Sequence, residues 1–202
     1  MANTNAPFGL RVLGVNSGGT PGFPLITRIV DKDDTQAIYR GDGVKNETTG
    51  YVSAITAAGT VASQWAGIFW GCEYLSTAQG KKVFSSYWPG ADAAADVTAY
   101  LVPLAGHPPV EIVAQATSTA FAFEDIGEEV DIGYQAGTPY GGWAKSGTTL
   151  AQSTLGVGPG LPFRIVDLWS ARTLSGQEGT DNSSSYNWVV VRFNAYGETG
   201  NA

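Results

Sequence analysis

A chain of 202 residues with a net charge of −7, a pI near 4.5 and only 14% charged residues lacks the clustered Lys and Arg that a phosphate backbone requires, so nucleic acid is excluded as the main partner. Its single cysteine, Cys72, rules out an internal disulfide and fits synthesis in a reducing cytoplasm, while apolar runs such as "WAGIFWG" fall short of the roughly 20 residues a membrane helix needs. The length suffices for one compact domain or two small lobes burying roughly 70% of the unfolded surface without disulfides or metals.

The chain opens "MANTNAPFGLRVLG". Residues Ala2 to Pro7 are small, polar or turn-forming and precede one bare aromatic, Phe8. The first charge is Arg11 and the first apolar run breaks at Gly14, a pattern unlike a secretory leader, so the segment is expected to stay on the protein. Residues 1–9 read as an extended N-terminal arm and residues 10–202 as a β-rich domain. The Gly-rich stretch at 133–148 is the place where two lobes would divide.

Strand signals then follow at short, near-regular spacing: "GLRVLGV", "PLITRIV", "QAIYR", "GYVSAIT", "QWAGIFWGCEYL", "KKVFSSYW", "DVTAYLVP", "VEIVAQA", "EEVDIGY", "TTLAQSTL", "PFRIVDLWS" and "NWVVVRFNAY". Gly or Pro interrupts nearly every window long enough for a helix. The fold class expected is all-β, a barrel or sandwich of many short antiparallel strands. One short helical piece is expected at "ADAAADVTAY", capped by Asp92 and bounded by Pro89-Gly90 and Pro103. Asp42-Gly43 in "YRGDGVKN" reads as a hairpin turn, and "EDIGEEVDI" turns around Gly127. The polar stretch "TLSGQEGTDNSSSYN" is a long loop with no apolar residue from Ser175 to Ser185, expected to be mobile or held by a partner.

The residues that could carry chemistry point mostly to structure. His107, between Gly106 and Pro108, has no triad or metal partner near it in sequence and reads as a turn residue. In "FEDIGEEVDI", alternation puts Glu129 and Asp131 on one strand face and Val130 and Ile132 on the other, the pattern of a solvated edge rather than an acid and base across a cleft. "DKDDTQ" has Gln36 where a calcium loop needs Gly. "GVGPGLP" and "AQGKK" miss the spacing of phosphate loops and read as turns. Arg40-Gly41-Asp42 spells an adhesion tripeptide, but Asp42 already has a turn to make. Cys72, among large apolar neighbours in "FWGCEYL", reads as a buried small hydrophobe. No catalytic residue, cofactor or metal is expected, and the reading is not that of an enzyme.

Six Trp and nine Tyr invite a sugar-stacking platform. Trp70 and Trp188 lie in apolar runs and read as core. Trp143, with Tyr140 beside it in "YGGWAKSG", is the candidate exposed contact, with simple burial as the alternative. A carbohydrate-binding or host-adhesion module built on these two residues is the second functional reading.

The opening "MANTNAPFG", with a basic residue at Arg11, resembles the start of the structural cement, or head-decoration, proteins of tailed bacteriophages. "AIYRGDGVKNETTGYV", "AFEDIGEEVDI", "PFRIVDLW" and "NWVVVRFNAY" resemble later segments in the same order. The resemblance implies a virion protein, made in the bacterial host cytoplasm, that coats the outer capsid surface, bridges major capsid protein subunits and acts as a homodimer or homotrimer. It implies neither a nucleic-acid nor a membrane partner. The arm residues Asn3, Asn5, Pro7 and Phe8, with Arg11, are then the expected capsid contacts, Phe8 acting as the anchor in a pocket. Tyr140, Trp143, and Gln177 and Asp181 of the polar loop complete the candidate interface.

Overall fold

The computed structural model describes residues 2–15, 25–104, 110–140, 143–156, 160–169 and 179–194. Every ladder between the named strands is antiparallel. The chain enters a first sheet, leaves to build a second, and returns. The first sheet holds β1 (Arg11–Val15), β10 (Val110–Gln115), β16 (Trp188–Phe193), β15 (Phe163–Leu168), β11 (Glu129–Gly133) and β14 (Thr149–Ala151), in that spatial order. It curls until Ala116, just past β10, meets Leu150 of β14 in an isolated parallel bridge. Thr117 completes the seam by donating its N–H to the Leu150 carbonyl at 2.9 Å.

The second sheet holds β2 (Ile26–Val30), β9 (Val97–Val102), β6 (Trp65–Leu75), β4 (Gly43–Asn46) and β5 (Val52–Ala54), with β7 (Lys82–Ser85) on the C-terminal half of β6. Two short pairs complete the set: β3 (Ile38–Tyr39) with β8 (Tyr87–Trp88), and β12 (Thr138–Tyr140) with β13 (Trp143–Lys145). The chain is therefore all-β, with three single-turn 3₁₀ segments among the described residues. No helix among the described residues is long and apolar enough to cross a membrane.

β6 organises both cores. Its run of aromatic and β-branched residues alternates faces, and register shifts against β4 and β9 re-aim it partway along. Trp65 and Ile68 join Ile112, Phe121, Val130, Ile132, Leu150, Phe163, Ile165, Val189 and Val191 in the first core. Trp65 meets Phe163 edge-on at 5.1 Å between centroids. Phe69, Cys72 and Tyr74 face the second core, with Val30, Val44, Val97, Ala99 and Leu101, and Ile38 and Trp88 of the β3–β8 pair cover it.

Several expectations from the sequence are corrected. Residues 91–96 form no helix, and Asp92 instead accepts from the hydroxyls of Ser76 and Thr77 at 2.8 and 2.9 Å and from the Ala78 N–H at 3.0 Å, pinning a loop. "KKVFSSYW" is two strands on different sheets, because the chain bends at Ser86. The turn expected with Asp42-Gly43 at its centre lies two residues earlier, centred on Arg40-Gly41. Asp42 N–H donates to the Tyr39 carbonyl at 2.9 Å, and Gly41 takes the left-handed conformation at φ +96°, as the third position of a type II turn requires. Asp42 is 2% exposed, so the Arg-Gly-Asp tripeptide does not present its carboxylate. Trp70 and Trp188 are half-buried, whereas Trp65 and Trp88 are deeply buried. Asp131, read as part of a solvated edge, is 2% exposed: β11 has β14 and β15 on its two sides, and the second sheet's loop closes over the carboxylate.

Candidate interaction site

Residues 2–10 have no regular secondary structure, yet they are fastened along their length to their own domain. Asn3 is the outermost fastening. Its Nδ2 donates to the carbonyls of Asp181, Ser184 and Ser185 at 2.7, 3.1 and 3.1 Å, and its Oδ1 accepts from the Asp181 N–H at 3.0 Å. Gln115, at the end of β10 and 2% exposed, forms the second. It accepts from the Ala6 N–H at 3.1 Å through Oε1, and donates through Nε2 to the carbonyls of Thr4 and Tyr186 at 2.9 and 3.1 Å. Tyr186 sits at φ +62°, a conformation that costs a non-glycine residue about 1–2 kcal/mol. The shared amide holds that strained residue and the arm together.

Phe8 is the third fastening. Its half-buried ring packs edge-on against Trp188 of β16 at 5.0 Å and 73°, within the range where aromatic pairs gain beyond simple burial. Gly9 follows in the left-handed region at φ +78°, and a Cβ there would lie 2.6 Å from the Ser146 side chain. Leu10 N–H then donates to the Gly41 carbonyl at 2.8 Å. The Ala-Pro-Phe-Gly run thus carries the arm from the first sheet onto the turn of the second.

Beside the arm lies a polar cavity of about 330 Å³, lined by Asn5 and Pro7 from the arm and by Gln135, Thr138, Lys145 and Ser146 among others. Asn5 is exposed and Pro7 half-buried. Arg11 is exposed in β1, paired across the ladder with Val113. Tyr140 and Trp143 are register partners at the closed end of the β12–β13 pair. Gln177 and His107 lie outside the described residues. The structure therefore brings Asn3 and Asp181 together, packs Phe8 on Trp188, leaves Asn5 and Pro7 at the adjacent cavity, and places Arg11 in β1.

The described end of the polar loop, from residue 179 onward, is organised locally as well. The Asp181 carboxylate accepts from Ser183 Oγ and N–H at 2.6 and 2.9 Å and from Ser184 Oγ at 3.1 Å. These bonds, that from the Ser183 hydroxyl foremost, hold its pKa below the ordinary aspartate value.

Two buried carboxylates stitch the sheets together in opposite senses. Asp42, from the second sheet's β3–β4 turn, accepts from Ser146 Oγ at 2.5 Å and Thr148 Oγ1 at 3.0 Å, just before β14, and from Tyr39 N–H at 2.7 Å. Asp131 of β11 accepts from Gly59 N–H, in the loop after β5, at 2.5 Å and from Ile132 N–H at 2.7 Å. Burial raises the pKa of each, and the donated hydrogen bonds offset only part of that rise. Gln115, Ser146 and Thr148 were not legible as site residues, because their partners lie about a hundred positions away in sequence. Among the described residues, no three His, Cys, Asp or Glu side chains are grouped to hold a metal ion.

No protein-family model, curated protein or solved structure matches the chain.

Proposed function

We propose that this chain is a head-decoration protein of a tailed bacteriophage: it sits on the outer surface of the expanded capsid, bridges neighbouring major capsid protein subunits and stabilises the shell. The observation that carries the reading is the opening segment, Met-Ala-Asn through Ala-Pro-Phe-Gly, and three of its residues have defined work in the fold: Asn3 clamps the polar loop, Phe8 packs on Trp188, and Gly9 takes a conformation that a side chain would obstruct. Such a run is the signature of a positioned strap. Its exposed stretch at residues 4–6 lies beside a polar cavity open to a partner's side chains.

A role of this kind needs binding surfaces and no transition-state chemistry. An acidic, Gly-rich all-β chain suits an outer surface turned away from packaged DNA. A homodimer or homotrimer engaging several subunits together would gain through effective concentration, by about a hundred-fold or more.

The test is co-sedimentation of the purified chain with expanded, empty heads that lack decoration. The expected result is saturable binding at a fixed ratio to the major capsid protein. Absence of binding to expanded heads would contradict the proposal.

A further inference from the structure

A chain that joins two neighbouring subunits by itself needs two separate contact surfaces. The arm and the loop at 181–185 make one, on the first sheet. The second sheet offers another. Strand registers align Ile29 of β2 with Thr98 of β9, Thr98 with Glu73 of β6, and Glu73 with Phe84 of β7. Residues directly opposite in antiparallel strands share a face, so these four form one row across four strands. Leu75 and Lys82 stand opposite each other in the next row, and Thr27 and Tyr100 in the row on the other side. The reverse face of the same strands, carrying Val30, Val97, Ala99, Cys72 and Tyr74, is the second core. The outward face is uncovered: Phe84 is 70% exposed, Leu75 47% and Ile29 40%. Three of the six large hydrophobics exposed among the described residues therefore share this one face.

The charges on the face are ordered. Glu73 lies between Lys82, whose Nζ is 3.0 Å from its Oε1, and Tyr100, whose hydroxyl pKa is raised first by burial and next by the Glu73 charge. Lys82 also lies 5.3 Å over the Phe84 ring. Lys81 and Lys82 are the chain's only adjacent basic residues, on a molecule of net charge −7. The ion-paired Lys82 thus sets one cation beside the Phe84 ring, and the complement of that edge is an apolar pocket with a carboxylate at its rim. The Lys-bearing, four-residue β7 is also built against strand addition at its edge, so contact goes through the face.

Area decides the kind of occupant. Four strands about 4.8 Å apart, with same-face rows about 7 Å apart, make a patch on the order of 300 Å². A stable stand-alone complex needs about 800 Å² from each partner. The patch is too small for a pair in solution and sufficient as one of many contacts made together on a repeating surface.

We propose that the Ile29–Thr98–Glu73–Phe84 face is the second capsid contact, docking on a repeated protein surface that presents an apolar pocket with a carboxylate at its rim; this rests on the head-decoration reading. The test compares the wild type with Phe84→Glu, Ile29→Lys and the control Phe123→Ser in co-sedimentation with undecorated expanded heads. Phe123 is 76% exposed in a 3₁₀ turn away from the face. Circular dichroism checks each fold, and analytical ultracentrifugation of the free proteins reports self-association. The expected result is at least tenfold weaker binding for both face variants, wild-type binding for Phe123→Ser and no face-dependent dimer in solution. Equal binding of the wild type and both face variants would overturn the face while leaving head decoration standing. Failure of the wild type to bind would overturn both. A solution dimer abolished by Phe84→Glu would overturn the repeated-surface occupant in favour of a second copy of the chain.

Discussion

Asn3 and Asp181, 178 positions apart, bind each other through two hydrogen bonds, one in each direction, at 2.7 and 3.0 Å. A single amide thereby closes the polar loop onto the N-terminal arm. Asn3→Ala removes every bond of that amide at once. The expected outcome is a stability loss of about 1–3 kcal/mol, since a typical hydrogen bond contributes about 0.5–1.5 kcal/mol net and several are lost together, with faster hydrogen exchange concentrated at residues 181–185. Unchanged exchange there would show that the loop is held by its own Asx-type turn.

Gly9→Ala tests the strap. The new Cβ would have to occupy a left-handed conformation and would meet Ser146, itself hydrogen-bonded to Asp42. The expected cost is about 1–3 kcal/mol in urea unfolding. Phe8→Ala loses both the edge-on contact with Trp188 and the burial of a half-buried ring, and is expected to cost about 1–3 kcal/mol and to change tryptophan fluorescence.

The Asp42 clasp has a defined pH signature. Burial raises its folded pKa above 3.8, so the native state holds the proton more tightly than the unfolded chain. Its contribution to stability is fully present below the unfolded pKa and is lost as pH rises through the folded one. The Asp42→Asn variant does not titrate there, and its amide nitrogen must face at least one donor that the carboxylate accepts. The expected result is a variant less stable than the wild type by more at pH 4 than at pH 7, read from urea melts of both. A larger deficit at pH 7 would contradict the assignment.

Cys72 is expected to be inert. Burial pushes its thiol up to about 12, and the thiolate is the reactive form. Native protein at pH 8 should therefore alkylate far more slowly than urea-unfolded protein; equal rates would mean that the second core opens readily around β6.

The sequence was most informative where a single strand's neighbours are of one kind. β6, β15 and β16 were legible because long runs of aromatic and β-branched residues must be buried somewhere. Alternation misled at Asp131, because it reports which residues share a face and not whether that face is wet; the covering group, Gly59 N–H, comes from another sheet. The β12–β13 pair lay hidden in a stretch whose glycines read as loop, and Ser85-Ser86 gave no warning of a bend between two sheets. At the candidate site, Phe8 stood out as a lone aromatic. Gln115 did not, since one polar residue in "VEIVAQA" carries no mark of the arm it holds. The Phe84 face was unreadable for a similar reason: its row exists only once the registers of four strands are known.

The most direct test of the decoration account is the temperature at which DNA-filled, undecorated heads release their DNA, measured by dye accessibility with and without a saturating amount of the purified chain. The account predicts a clear upward shift that saturates with occupancy and shrinks for Phe84→Glu. An unchanged release temperature at full occupancy would contradict it.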